Sequence, residues 1–186
     1  MRIISGKYKG HTLKAPSSKF TRPTTDRVRE TLFNILNNII DFEGIDVLDI
    51  YSGSGSLGLE FLSRGANKIH FIEKNYPVYN VLLENIKKIG AEEFVEIFKV
   101  DAVKYTKTTN NKYDIIIADP PFFKYDIYEV VENVLDRDLL KDNGIMIIER
   151  SIQTKDKDLG NFKKEPDKRI GDTLLYFFYK IDEEIK

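Results

Sequence analysis

The sequence contains no cysteine and no tryptophan, and two histidines among its 186 residues. Without cysteine there is no disulfide framework, no thiolate nucleophile and no sulfur-ligated zinc. With His11 and His70 as the whole supply of imidazole, no metal site is expected. Long apolar runs are also missing: nothing approaches the ~18 uninterrupted apolar residues of a spanning helix, and 32% of the residues are charged, so no membrane association is expected. Residues Met1 to Lys7 lack the apolar stretch and small-residue cleavage site of a secretory signal, and a cytoplasmic location is the expectation. Net charge is nearly absent too, at −1. That balance hides an asymmetry, because residues 1–40 carry eight basic side chains against two acids, which leaves −7 for the other 146. A basic arm on an acidic body suits contact with a polyanion, although a solvated charged arm has the same composition.

What is present divides at about residue 40. Arg2 to Lys14, with short alternating runs around two glycines, predicts a small β-hairpin, and Thr24 or Thr25 is placed to cap a following helix. Val28, Leu32, Ile35, Leu36 and Ile39 fall on one face of that helix. Arg22, Arg27 and Arg29 crowd its start, where the helix dipole disfavours cations, so local stability does not explain them. Beyond residue 40 come five short apolar runs, 45–50, 68–73, 95–100, 113–118 and 144–149, each read as a strand buried on both faces. Helical segments are expected between them at 56–64, 76–89 and 127–137. This alternation predicts a parallel sheet with helices on both faces and a ligand site beyond the carboxyl ends of the strands. Residues 151–158 read as a polar linker, and 162–164 with 174–181 as a closing pair of strands, one of them antiparallel to the sheet. The division expected is a basic extension over 1–40 and a main domain over 41–186.

The strand ends carry the chemistry. Asp49-Ile50-Tyr51-Ser52-Gly53-Ser54-Gly55-Ser56-Leu57-Gly58 satisfies G-x-G-x-x-G at Gly53, Gly55 and Gly58, where glycines let the backbone turn tightly against a ligand. Asp49 separates the nucleotide readings. A carboxylate there repels a pyrophosphate but accepts hydrogen bonds from the ammonium of a methionine moiety, which favours S-adenosylmethionine. Glu73, 18 residues after Gly55, sits at the offset of a ribose-binding acid and is shared with NAD enzymes. Asp101 can accept from an adenine amine while the backbone of Ala102 reaches the ring, or can cap a helix. In Asp119-Pro120-Pro121-Phe122 the prolines fix an extended backbone. The Asp119 carboxylate and Pro120 carbonyl then form a rigid pair of acceptors for an exocyclic amine, and Phe122 offers a stacking face for an unstacked base.

The order Asp49-x-x-x-Gly53-x-Gly55, Glu73, Asp101, Asp119-Pro120-Pro121-Phe122 resembles class I S-adenosylmethionine-dependent methyltransferases that modify amino nitrogens of bases. Arg22-Pro23-Thr24-Thr25-Asp26-Arg27-Val28-Arg29-Glu30-Thr31-Leu32-Phe33-Asn34, with Arg2-Ile3-Ile4-Ser5-Gly6 and the closing hairpin, is similar to the RsmD family, bacterial methyltransferases of guanine N2 in small-subunit ribosomal RNA. The resemblance runs over nearly the whole chain. It implies an α/β, Rossmann-like class I methyltransferase fold: a mostly parallel seven-stranded sheet, a C-terminal antiparallel strand, and a small N-terminal β-hairpin plus helix. It further implies S-adenosylmethionine as cofactor, with S-adenosylhomocysteine as product. Asp49, Ser52, Gly53, Ser54, Gly55, Glu73, Lys74, Asp101 and Ala102 are then the cofactor contacts, and Asp119, Pro120, Pro121 and Phe122 the catalytic group. Lys7, Lys9, Arg22, Arg27 and Arg29 become the expected RNA contacts, on an assembled or nearly assembled small ribosomal subunit, with the protein a monomer.

Three other readings use the same residues. The Asp119-Pro120-Pro121-Phe122 group also fits adenine N6 in RNA or DNA. An NAD-dependent oxidoreductase shares the glycine pattern but needs a hydride-transfer acid or base, and His70 lies inside an expected strand. A binding protein without activity would not require Asp49, Glu73 and Asp119 together.

Overall fold

Five apolar runs become five parallel strands because each is long enough to cross a sheet and has helices to cover both of its faces. The computed structural model describes residues 1–16, 26–121 and 124–180. Its elements are α1 (Asp26–Leu36), β1 (Asp46–Ile50), α2 (Ser56–Ser63), β2 (Lys68–Ile72), α3 (Tyr76–Ile89), β3 (Val95–Phe98), α4 (Ala102–Thr108), β4 (Tyr113–Ala118), α5 (Ile127–Asp136), β5 (Leu140–Ser151), α6 (Lys155–Phe162), β6 (Lys168–Ile170) and β7 (Thr173–Tyr179). The strands form one seven-stranded sheet in the order β3-β2-β1-β4-β5-β7-β6. Strands β1 to β5 pair in parallel, and β7 runs antiparallel to both β5 and β6. This is the expected architecture, with β7 as the reversed strand.

Successive strand residues point to opposite faces, and the core divides accordingly. Val47, Ile69, Phe71, Ile115, Ile117 and Ile147 pack with Leu32 and Phe33 of α1, Leu57 of α2 and Leu82 of α3. Their neighbours Leu48, Ile50, Ile116, Met146 and Ile148 pack with Tyr105 of α4, Val130 and Val134 of α5 and Phe162 of α6. Each such side chain, fully buried, contributes roughly 1.5–3 kcal/mol. Ile3, Tyr8 and Leu13 belong to the first cluster, so the N-terminal arm is sewn into the main core. Its expected hairpin reduces to a single bridge, Arg2 with Thr12, around a tight loop. Thr24 and Thr25, the expected caps of α1, lie outside the described residues.

Several expectations are corrected. Strand β3 is at the sheet edge and only half-buried, because nothing pairs with its outer side in the sheet. Helix α1 stops at Leu36, which leaves Ile39 47% exposed. The polar linker is absent: residues 152–154 form a 3-10 turn that leads into α6, which contains Phe162, and the strand placed at 162–164 lies instead at β6. Besides Phe162, α6 is held by a polar interior. Asp158, without accessible surface, takes Arg150 Nε at 3.0 Å, Thr154 Oγ1 at 2.7 Å and Tyr128 Oη at 2.8 Å. Helix α4, capped by Asp101, completes the alternation. Among the described residues, no helix is long and apolar enough to cross a membrane.

Candidate active site

The parallel register brings the candidate residues together. Ile50 is opposite Ile72 on one side and Ala118 on the other, so Tyr51, Glu73 and Asp119 follow at the carboxyl ends of three neighbouring strands. Between β1 and α2 the chain makes its glycine turn with positive φ at Tyr51 (61°), Gly53 (58°) and Gly55 (80°). A side chain at Gly55 would be strained, and its Cβ would lie 2.4 Å from Leu82 Cδ1. The Ser52 hydroxyl is committed to struts, donating to the Asp49 carbonyl at 2.7 Å and the Ile72 carbonyl at 3.2 Å. Ser54 is buried, with its hydroxyl 3.4 Å from Met1 Sδ.

Three carboxylates face this turn at different depths. Asp49 is buried, and its Oδ2 accepts from Gly58 N at 2.8 Å, which pins α2 to the end of β1. Burial pushes its pKa well above the ordinary carboxylate range, the Gly58 hydrogen bond opposes this, and the charges of Asp119 and Glu73 push it further up. Glu73 accepts from Gly53 N at 3.2 Å and Asn75 N at 2.7 Å. Burial raises its pKa too, against those two N–H groups and the charges of Lys124 and Lys74. Asp101 caps α4 by accepting from Val103 N at 3.0 Å, and pairs with Lys74 at 3.0 Å across the same opening. Burial opposes the ionised form of Asp101, yet Lys74 holds its pKa below the usual value. Ala102 is buried behind it.

Asp119 is half-buried at the end of β4, Pro120 is buried and Pro121 exposed; Phe122 lies outside the described residues. After it, Lys124 pairs with Asp126 at 2.8 Å and its ammonium lies 4.9 Å from the centroid of the Tyr51 ring. The Tyr51 phenol is held well above its ordinary pKa by burial and by Asp126. The arrangement is a concentration of negative charge around a left-handed glycine turn. It disfavours a phosphate-rich ligand and fits a cationic one with a diol and an amine. S-adenosylmethionine has that donor set: an ammonium for the Asp49 end, ribose hydroxyls for Glu73 and an adenine amine for Asp101. Among the described residues no group of three or more His, Asp or Glu could hold a metal ion.

A family model described as "Conserved hypothetical protein 95" matches residues 1–179. The Escherichia coli K12 protein named ribosomal RNA small subunit methyltransferase D is 35% identical over 153 residues, covering 82% of this chain and 76% of its own. Its Haemophilus influenzae namesake is 35% identical over 162 residues, 86% of this chain and 81% of that one. The chain belongs to the RsmD family. A solved structure of the Escherichia coli protein yhhF, described as a proposed methyltransferase, superposes on this family member with a TM-score of 0.81 at 27% identity, covering 98% of this chain and 99% of that one.

The basic arm of this RsmD-family protein is less uniform than its sequence. Lys7, Lys9 and Arg27 are exposed, with the Lys7 ammonium 5.1 Å from the Tyr8 ring centroid and 5.2 Å from that of Phe94. Arg22 lies outside the described residues. Arg29 is corrected: it has no accessible surface, so it cannot meet an RNA phosphate in this fold. Its Nη2 donates to the Arg2 carbonyl at 2.6 Å and to Asp26 at 2.8 Å. Burial pulls its pKa down while Asp26, Glu60 and Glu30 hold it up. Arg29 thus fastens the arm to α1.

Sequence reasoning missed Tyr51, Lys124 and Asp126 at the opening, and Asn85 behind the glycine turn. Only Asn85 left a signal, as a polar residue within the apolar stripe Val78, Leu82, Ile86, Ile89 of α3.

Proposed function

We propose that this protein transfers a methyl group from S-adenosylmethionine to the exocyclic N2 of a guanine in small-subunit ribosomal RNA, within an assembled or nearly assembled subunit. The observation that carries the reading is the convergence of Asp49, Glu73 and Asp119 on the left-handed glycine turn: β1 lies in register between β2 and β4, and Glu73 accepts from Gly53 N at 3.2 Å. The names of the RsmD relatives support ribosomal RNA as the substrate. When bound, S-adenosylmethionine supplies a methyl on a sulfonium, an electrophile that an amino nitrogen attacks directly. Asp49, the Gly53–Gly55 turn, Glu73, Lys74, Asp101 and Ala102 hold the cofactor, and Ser52 and Ser54 brace the turn. The Asp119 carboxylate and the Pro120 carbonyl accept the two N–H bonds of the amine, so that its lone pair is aimed rather than free to rotate. Asp119 then takes the proton that the nitrogen loses. Phe122 stacks on the extracted base, while Lys7, Lys9, Arg22 and Arg27 neutralise phosphates without reading sequence.

Radiolabelled methyl transfer tests this, with the wild type and Asp119→Ala offered undermethylated small subunits, naked ribosomal RNA and duplex DNA, followed by nucleoside analysis. The expected result is N2-methylguanosine from the subunits, lost in Asp119→Ala while cofactor binding persists. Methyladenine as the product moves the protein to the adenine-N6 reading, and cofactor binding without transfer to any substrate removes the enzymatic one.

A further inference from the structure

We propose that Asn85 is a positioning residue that sets the glycine turn from the N-terminal arm, so that the arm carrying the basic residues also governs cofactor affinity. This rests on the reading of that turn as the cofactor loop. Asn85 sits in the middle of α3 with 1% of its surface exposed, on the stripe otherwise made of Val78, Leu82, Ile86 and Ile89. An amide in such a place is tolerated only if its polar atoms are paired, and here they are paired with two different parts of the chain. Oδ1 accepts from Lys14 N at 2.8 Å, and Nδ2 donates to the Lys14 carbonyl at 2.9 Å, so Asn85 grips both backbone groups of one arm residue. The second Nδ2 hydrogen goes to the Ser54 carbonyl at 2.9 Å.

Ser54 lies between Gly53 and Gly55, both at positive φ. The turn is closed from within by Gly55 N, which donates to the Ser52 carbonyl at 2.7 Å, but its glycines retain the widest backbone freedom of any residue. The Ser54 carbonyl belongs to the same peptide unit as the Gly55 N–H, so the Asn85 bond holds that unit from its other side. A second contact converges on the same residue, since Met1 Sδ lies 3.4 Å from Ser54 Oγ, and Leu13 N donates to the Met1 carbonyl at 3.0 Å. Both ends of the arm's loop thus reach Ser54, one directly and one through Asn85. Lys7 and Lys9 are exposed on the arm between Met1 and Lys14, so a shift of the arm on meeting RNA is transmitted to the turn without crossing the sheet.

The test is titration of S-adenosylhomocysteine by calorimetry, with melting temperature and steady-state methylation of undermethylated small subunits measured on the same proteins well below their melting points. Asn85→Ala is expected to weaken S-adenosylhomocysteine about tenfold and to raise the cofactor KM in step, with kcat at saturating cofactor within about twofold of wild type. Lys14→Pro, which removes the arm-side N–H partner and the Lys14 side chain and restricts the backbone at residues 13 and 14, is expected to weaken the cofactor about threefold. Lys14→Ala, which keeps the backbone, is expected to bind it as the wild type does. A lower melting temperature in Asn85→Ala with unchanged cofactor affinity overturns the proposal, as does equal weakening in Lys14→Pro and Lys14→Ala. Failure of the wild type itself to bind S-adenosylhomocysteine overturns the cofactor reading of the turn, and this inference with it.

Discussion

Replacing Asp49 by Asn should make the ligand-free protein more stable while weakening its hold on the cofactor. The carboxylate is 2% exposed and accepts one hydrogen bond, from Gly58 N at 2.8 Å. Asn keeps that acceptor and the same volume. The bond changes from charge-assisted to neutral, a loss of about 1 kcal/mol, while the penalty removed is that of a buried ion, which is several kcal/mol. Burial and the neighbouring charges of Asp119 and Glu73 raise the folded pKa above its unfolded value. Between those two values the folded protein binds more protons than the unfolded chain, so the wild type loses stability as pH rises through that interval. The net gain expected for Asp49→Asn is about 2 kcal/mol at neutral pH, or about 4–8 °C for a chain of this size, and it should shrink as the pH falls. Differential scanning calorimetry of the ligand-free proteins from about pH 5 to pH 8 measures it directly. On the proposed reading, titration of S-adenosylhomocysteine should show weaker binding by the same variant, since the acceptor proposed for the methionine ammonium has lost its charge. An Asp49→Asn variant that melts at or below the wild type throughout, with no widening of the gap as pH rises, would refute the argument that this carboxylate is kept at the expense of the fold.

Two further substitutions probe the packing behind the site. In Gly58→Ala the new Cβ would stand 2.4 Å from Phe71 Cε1 and 2.9 Å from Ile69 Cγ2, both on side chains without accessible surface; a loss of about 1–3 kcal/mol is expected, read as a lower urea midpoint at unchanged slope. Asp158→Ala leaves the Arg150 guanidinium buried beside an emptied position and should lower stability by about 3–5 kcal/mol. The double change Arg150→Met with Asp158→Leu should recover most of that in the same unfolding experiment, and a double variant no better than Asp158→Ala would argue against an ion-pair origin.

The strands and most helices were legible because apolar runs such as Tyr113–Ala118 and the stripe of α3 encode burial directly in their spacing. The candidate site was legible where chemistry is local: Asp49 is the penultimate residue of β1, the glycine turn begins just after that strand, Glu73 and Asp119 follow directly on β2 and β4, and register brings them together. What escaped depends on partners distant in sequence. Arg29 reads as a cation at a helix start, and its neighbour Asp26 was available to pair with it, but its Nη2 also donates to the Arg2 carbonyl, 27 residues away. Helix α6 reads as a linker because it is anchored by Asp158 to Arg150, Thr154 and Tyr128, and no hydropathy pattern records a polar core. Lys124 and Asp126 meet Tyr51 across the opening from a different loop, and their own residue types do not record that meeting.

The sheet's two outer strands are also its short ones, four residues in β3 and three in β6. An open seven-stranded sheet presents two rows of unpaired peptide groups, each a template on which another chain can add a strand. Here one row is a stub with exposed Glu96 in it, and the other begins with exposed Lys168 and Arg169. A foreign strand would gain only a few backbone hydrogen bonds at either border before running past its end, and would set its own side chains against fixed charge. The wide middle of the sheet carries the candidate site, and its short charged margins offer little to a strand added edge to edge.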